Sequence, residues 1–434
     1  MIGGALFRKW PAGLMLAALS VSPRLAAQTP EHLSLKDAEQ RAVEGHPQVQ
    51  AGLSAARAAN EVVREVKSAY WPTVYGSVTG AAAPNGTRIT AGALNNPSIF
   101  DRIGTGVAVS QLVTDFGRTG SLAETQQLRA SALQENATRL RADVLLRVDQ
   151  AYFEALRAQA VLRVARQTVE ARQLVVDQVT ALANSNLKSG LDVSFARVNL
   201  GQAQLLLVQA QSDVNASFAS LSAAMGSSAS LSYDLMDEPL PPPPPDAAAP
   251  LIEQAFRERP DLSAQRLSDQ AAAKFVSAEH ALWYPTVAAV GVAGLTPYHG
   301  DPLNDRYAAA GFNVNVPIAN GSLYSARHAE AAYRAEIEDQ ALRDLENQVT
   351  RDVTLAWLQA KTGYQRMDLT NQLLAQASDA LELAQARYNL GLSSIVELTQ
   401  AQLNKTQAEI DQATVRYEYQ ARTSALKYQT GMLK

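Results

Sequence analysis

Two kinds of apolar periodicity alternate along this chain. From about 117 to 183 apolar residues recur at three- and four-residue spacing, with Leu140, Val144, Val148 and Ala151 on one seam, and Leu345, Val349, Val353 and Ala356 repeat that seam later. The spacing predicts helices of about 65 residues, roughly 100 Å long at 1.5 Å per residue. No globular core is that long, so each needs a partner alongside, which the return segments 191–225 and 396–430 supply. Beside each long helix the period changes to two. Phe312, Val314, Val316 and Ile318 alternate with Gly311, Asn313, Asn315 and Pro317, while Val107, Val109 and Val113 alternate with Ala108 and Ser110. Segments near 73–82 and 286–295, rich in Thr, Val, Ala and Gly, form a second strand pair whose faces the weak alternation does not assign.

The pattern is written twice. Gly45-His46-Pro47-Gln48-Val49 matches Glu258-Arg259-Pro260-Asp261-Leu262, and Tyr70-Trp71-Pro72-Thr73-Val74 matches Trp283-Tyr284-Pro285-Thr286-Val287, both at an offset of 213. Asp115 and Asn320, Ala151-Tyr152 and Ala356-Trp357, and Gly226 and Gly431 match at 205, so the first copy is longer by 8 residues between Thr79 and Val107. Each copy, 28–226 and 250–434, reads helix, strand, loop, strand, very long helix, turn, long helix. Between them, 227–249 carries Pro241 to Pro245, an extended and stiff linker.

Composition narrows the class. Cysteine is absent, which excludes disulfides, thiolate metal sites and a lipid-bearing cysteine. Acidic residues (42) exceed Lys plus Arg (38), so the basic surplus that nucleic acid demands is missing. Arg8 and Lys9, an apolar stretch from Ala12 to Val21, and the small residues Ala26-Ala27 have the order of a secretory signal peptide over 1–27. Its removal takes the net charge from -4 to -7 through loss of Arg8, Lys9 and Arg24. The five histidines have no H-E-x-x-H or paired ligand spacing, and no nucleophile-elbow or phosphate-loop motif is present, so neither enzyme chemistry, metal nor cofactor is expected.

Four strands of about ten residues suit tilted membrane-spanning β-strands, and Tyr70, Trp71, Trp283 and Tyr284 stand at the helix-to-strand junctions, where an interfacial aromatic girdle belongs. Four strands leave two open edges in hydrocarbon, so the chain must oligomerise. Two copies give eight strands and a filled lumen; three give twelve and a passable bore. At the hairpin turns, Asn186 and Gly391 are placed for a left-handed helix exit, and Ser189 with Asp192 and Ser394 with Glu397 have capping-box spacing.

The duplicated units, the junctions around Pro72 and Pro285, Val316-Pro317-Ile318-Ala319-Asn320-Gly321 and Tyr388-Asn389-Leu390-Gly391-Leu392-Ser393-Ser394 together resemble the TolC-like outer-membrane efflux proteins, from about Leu33 to Gly431. The resemblance implies a mixed membrane β-barrel and all-α fold. Four transmembrane strands and two long helical hairpins per chain assemble as a homotrimer, a twelve-stranded β-barrel on a periplasmic α-helical barrel. It implies a passive channel in outer-membrane lipid, docked on a periplasmic adaptor protein and an inner-membrane pump, for efflux or type I secretion. Carried over residue by residue, Asp192, Tyr388, Ser393, Glu397 and Gln400 belong to the periplasmic aperture. Asn186, Leu187, Ser189, Gly391, Leu392 and Ser394 belong to the adaptor-docking tips. Ser393 stands where the family has a basic latch residue, so that salt bridge cannot form here, and Glu397 with Gln400 replaces a pair of lumenal aspartates, leaving a single anionic ring. The rival reading is a trimeric structural or adhesive surface protein without transport.

Overall fold

The computed structural model of the chain describes residues 31–82, 101–228, 232–299 and 304–433. The expected signal peptide lies outside them. The elements in order are β1 (Glu31–Leu33), α1 (Leu35–Gly45), α2 (Pro47–Lys67), β2 (Thr73–Ala81), β3 (Arg102–Thr114), α3 (Arg118–Asn184), α4 (Gly190–Ala224), β4 (Tyr233–Leu235), α5 (Ala249–Glu258), α6 (Pro260–His280), β5 (Thr286–His299), β6 (Arg306–Asn315), α7 (Leu323–Asn389) and α8 (Ile395–Gln429). The long helices α3 and α7 have 67 residues each and begin and end 205 apart, as do the 35-residue α4 and α8. Among the described residues no helix is long and apolar enough to cross a membrane.

The first helix of each copy is two helices, not one. Proline at the first position of α2 and α6 lacks the N–H that would continue the preceding helix, and His46 and Arg259 take extended backbone there. These breaks explain the repeated motifs. Gly226 and Gly431, both at positive φ just past α4 and α8, pack on them: a β-carbon on Gly226 would stand 3.0 Å from the His46 Cα, and one on Gly431 2.7 Å from the Glu258 carbonyl carbon. The glycine is therefore required for close approach. The aromatic match has a parallel explanation. Tyr152 donates to the Leu33 and Met236 carbonyls (2.9 and 2.7 Å), and Trp357 donates to the Pro245 carbonyl (2.7 Å).

With Tyr419 donating to Pro242 (2.6 Å) and Gln420 to Glu238 (2.9 Å), these bonds strap the chain between the copies onto the helices. That stretch also holds a strand that period-two reading missed: β4 pairs parallel with β1. At their sheet ends the helices are tied by Glu279 of α6, 2% exposed, which takes Arg327 of α7 at 2.8 Å with Arg118 of α3 at 4.0 Å.

The strands of both copies merge into one antiparallel sheet, ordered β2-β3-β5-β6, with β3 and β5 joining the copies through two register shifts. The longer first connection falls where expected, 82–101 against 300–305, and part of it lies outside the described residues. The alternation expected to run to Ile318 stops at Asn315. Pro317 cannot donate to a ladder, so Val316 and Ile318 lie beyond the strand.

Candidate functional site

Register gives each sheet face a composition. Val74, Val78, Ile103, Val107, Val109, Val113, Phe312 and Val314 share one face and are exposed. The other face carries Thr73, Tyr75, Ser77, Thr79, Arg102, Ser110, Tyr307, Asn313 and Asn315, with Val290 and Val292 among them, while Arg306 stands at the loop end of the first face. An apolar face with no covering layer and a polar opposite face suit lipid on one side and water on the other. The outer edges of β2 and β6 have no strand beside them among the described residues. Tyr70, Trp71, Trp283 and Tyr284 lie at the helix end of the sheet and are exposed. Trp283 meets Tyr324 edge-on with ring centroids 5.8 Å apart, and Phe116 stands 5.9 Å from Tyr284.

At the opposite end the two hairpins turn with one backbone geometry. Asn186 (φ 56) and Gly391 (φ 74) are left-handed. Leu187 N–H donates to the Leu182 carbonyl at 2.9 Å, and Leu392 N–H donates to the Arg387 carbonyl at 2.8 Å. This is the helix stop the sequence implied. The side chains then diverge. Ser189 and Asp192 form the full capping box, with Asp192 N–H donating to Ser189 Oγ at 3.2 Å and Ser189 N–H to Asp192 Oδ2 at 3.0 Å. At Ser394 only half of the expected box forms. Glu397 N–H donates to Ser394 Oγ (3.4 Å), but the Glu397 carboxylate turns to Arg387 on α7, with Nε to Oε1 at 3.1 Å. The guanidinium across the turn takes the place of the Ser394 backbone N–H as the partner of this carboxylate.

Tyr388 is 4% exposed, packed with Val179, Ile395 and Leu398, and Lys188 from the other tip sits 4.0 Å above its ring. Burial, then the Asp192 charge, pushes its phenol pKa up. Its hydroxyl and the Ser393 Oγ are buried and without hydrogen-bond partners among the described residues. Asp192 and Tyr388 thus interact through charge, the carboxylate being committed to its cap. Gln400 is exposed and donates to Asn404 at 2.9 Å, on the α8 face that Glu397 begins. Leu187 and Leu392 are 69% and 68% exposed at the tips. Sequence reading missed Lys188 and Arg387; the signal was one basic residue beside each hairpin turn.

Residues 39–227 and 251–432 each match the profile of the outer membrane efflux proteins. The outer membrane protein TolC of Vibrio cholerae serotype O1 is 23% identical over 418 residues, 92% of this chain and 91% of its own length. TolC of Salmonella enteritidis is 23% identical over 347 residues, 76% of this chain and 70% of its own. Among solved structures, CusC superposes with a TM-score of 0.79 at 17% identity, covering 92% of both chains. The outer membrane protein VceC of Vibrio cholerae gives 0.76 at 17% identity, covering 92% of this chain and 96% of its own. A two-faced sheet above paired long hairpins, duplicated within the chain and matched by the same profile in both halves, makes this chain a member of the outer membrane efflux protein family and an efflux channel of the outer membrane.

Proposed function

We propose that three copies close their sheets into one twelve-stranded barrel, with the helices beneath forming a periplasmic tunnel, and that this homotrimer is the passive conduit of a tripartite efflux or type I secretion system. The observation that carries the reading is the pair of open edges on β2 and β6, since each unpaired backbone group in hydrocarbon costs several kcal/mol and a closed ring removes them all. Twelve strands leave a bore where eight would be filled by side chains. A second support lies on the helices. Leu191, Val198 and Leu205 form an exposed stripe at seven-residue spacing along α4, and Val396 and Leu403 repeat it on α8, the pattern of a seam awaiting a neighbouring helix.

In this assembly Tyr70, Trp71, Trp283 and Tyr284 girdle the barrel at the inner boundary of the outer-membrane lipid. Asn186, Leu187, Ser189, Gly391, Leu392 and Ser394 dock a periplasmic adaptor, which connects the tunnel to an inner-membrane pump. Asp192, Tyr388, Ser393, Glu397 and Gln400 surround the aperture. Each Glu397 is partly neutralised by Arg387, so the ring is less anionic than three free carboxylates. Replacing Glu397 with Lys both removes the negative charge and leaves Arg387 unpaired, so single-channel currents in planar bilayers should turn from cation toward anion preference. Unchanged selectivity would remove Glu397 from the pore, and a stable trimer that never conducts would favour the structural or adhesive alternative.

A further inference from the structure

One register row crosses all four strands: Ser77 is opposite Gly106, Gly106 opposite Gly294, and Gly294 opposite Tyr307. The two glycines make the middle of the row a trough, and the Tyr307 side chain lies in it. A β-carbon on either Gly106 or Gly294 would overlap the phenol oxygen, and on Gly106 it would stand 3.1 Å from the Tyr307 Cζ. The ring therefore lies flat along the polar face instead of projecting from it, spanning β6 to β3. Beside it, toward the end of the sheet remote from the helices, is a cleft of about 470 Å³ lined by Ser77, Thr79, Arg102, Thr296, Arg306 and Tyr307. Neither Arg102 nor Arg306 has a carboxylate partner among the described residues. The acid next to Arg306, Asp305, faces His299 at 2.8 Å.

Each part of this cleft has a ligand preference. Guanidinium groups recognise planar oxyanions through paired N–H donors. The open face of a phenol held flat offers a stacking surface for another ring. Hydroxyls of Ser77, Thr79 and Thr296 supply further donors around the anion. We propose that this cleft is a binding site for aromatic anions, an aryl carboxylate or sulfonate whose charge meets Arg102 while its ring stacks on Tyr307. The proposal rests on the conduit reading, in which the polar face lines the passage, and places three such sites around its outer end.

The test uses the full-length protein in planar bilayers, with 2-naphthoate added on the side of the strand loops and acetate as the ringless control. Naphthoate should interrupt the current in a concentration-dependent way, and acetate at equal concentration should not. Arg102→Gln and Tyr307→Ala should each raise the half-blocking concentration by about tenfold, the worth of one charge-assisted or stacking contact. Both residues are on the strand surface, and open-channel conductance without naphthoate verifies that each variant has inserted. A channel that conducts but ignores naphthoate, or whose block is the same in all variants, overturns this inference and leaves the conduit standing. Wild-type protein that never conducts overturns both.

Discussion

At matching positions 205 residues apart, α3 buries Asp149 and Arg172 where α7 has Thr354 and Ala377. Asp149 is 2% exposed, near Glu39 of α1 and Ser424 and Lys427 of α8, and one of its carboxyl oxygens has no partner among the described residues. Burial drives its pKa up to about 7, against the pull of the Ser424 hydroxyl and with the Glu39 charge adding to it. Arg172 continues the seam of Ala158, Ala165 and Val179 at seven-residue spacing, and burial alone lowers its pKa to about 10. On α7, by contrast, Thr354 bonds its own helix at the Thr350 carbonyl (2.7 Å), and Tyr333, Ile337, Leu369 and Leu383 remain exposed. The difference follows from neighbours. Among the described residues α3 packs chiefly against α1, α2, α4, α6 and α8, whereas the main helical neighbours of α7 are α5, α6 and α8. Duplication copied the backbone register but not the surroundings, so equivalent positions carry different chemistry, and the apolar flank of α7 is free to meet another chain.

The tips give the sharpest way to break this comparison. Tyr388 fills a buried site whose first-copy counterpart is Ala183, so Tyr388→Ala should cost about 3–5 kcal/mol, the usual range for truncating a buried aromatic. Scanning calorimetry should show it, and a loss below about 1 kcal/mol would mean that the two tips pack alike.

Asp149 comes next. Its folded pKa lies above the ordinary carboxylate value of 3.8, so the native state holds a proton that the unfolded chain releases. The stabilisation is complete below about pH 4, falls as pH rises toward 7, and is flat beyond it. Asp149→Asn should remove this slope and raise the melting temperature at pH 7.5, while Thr354→Asp, on the more open helix, should not reproduce it. A wild-type midpoint independent of pH between 4 and 7, after matching ionic strength, would show that Asp149 is ionised throughout.

The smallest effect separates the caps. Ser189→Ala loses a complete capping box and should cost about 1 kcal/mol, seen as faster amide exchange at Asp192. Ser394→Ala loses a single 3.4 Å bond and should change exchange at Glu397 less. Equal effects would erase the distinction between the tips.

The helices were legible because their determinants are local. Offsets of 213 and 205 located α2 with α6, α3 with α7 and α4 with α8, and the φ-positive turns at Asn186 and Gly391 were implied by residue type. The apolar sheet face was legible through Val107, Val109, Phe312 and Val314. The β1–β4 pair escaped because three-residue strands about two hundred positions apart have no readable period. The same limit applies to the site. Ser394 and Glu397 have the spacing of a box, yet Arg387, reached only once the turn folds, takes the carboxylate. Tyr388 was placed at the aperture, but its Lys188 lid depends on the approach of two separate tips.

Closure of the sheet between chains is tested most directly by disulfide trapping, since the chain has no cysteine of its own. Single cysteines at Val74 or Val78 in β2, combined in turn with one at Ala308, Ala310, Phe312 or Val314 in β6, place both thiols on the apolar face. Oxidised membranes should yield covalently joined dimers and trimers at one register, and neither cysteine alone should yield trimers. Monomers at every register would contradict a barrel shared among chains.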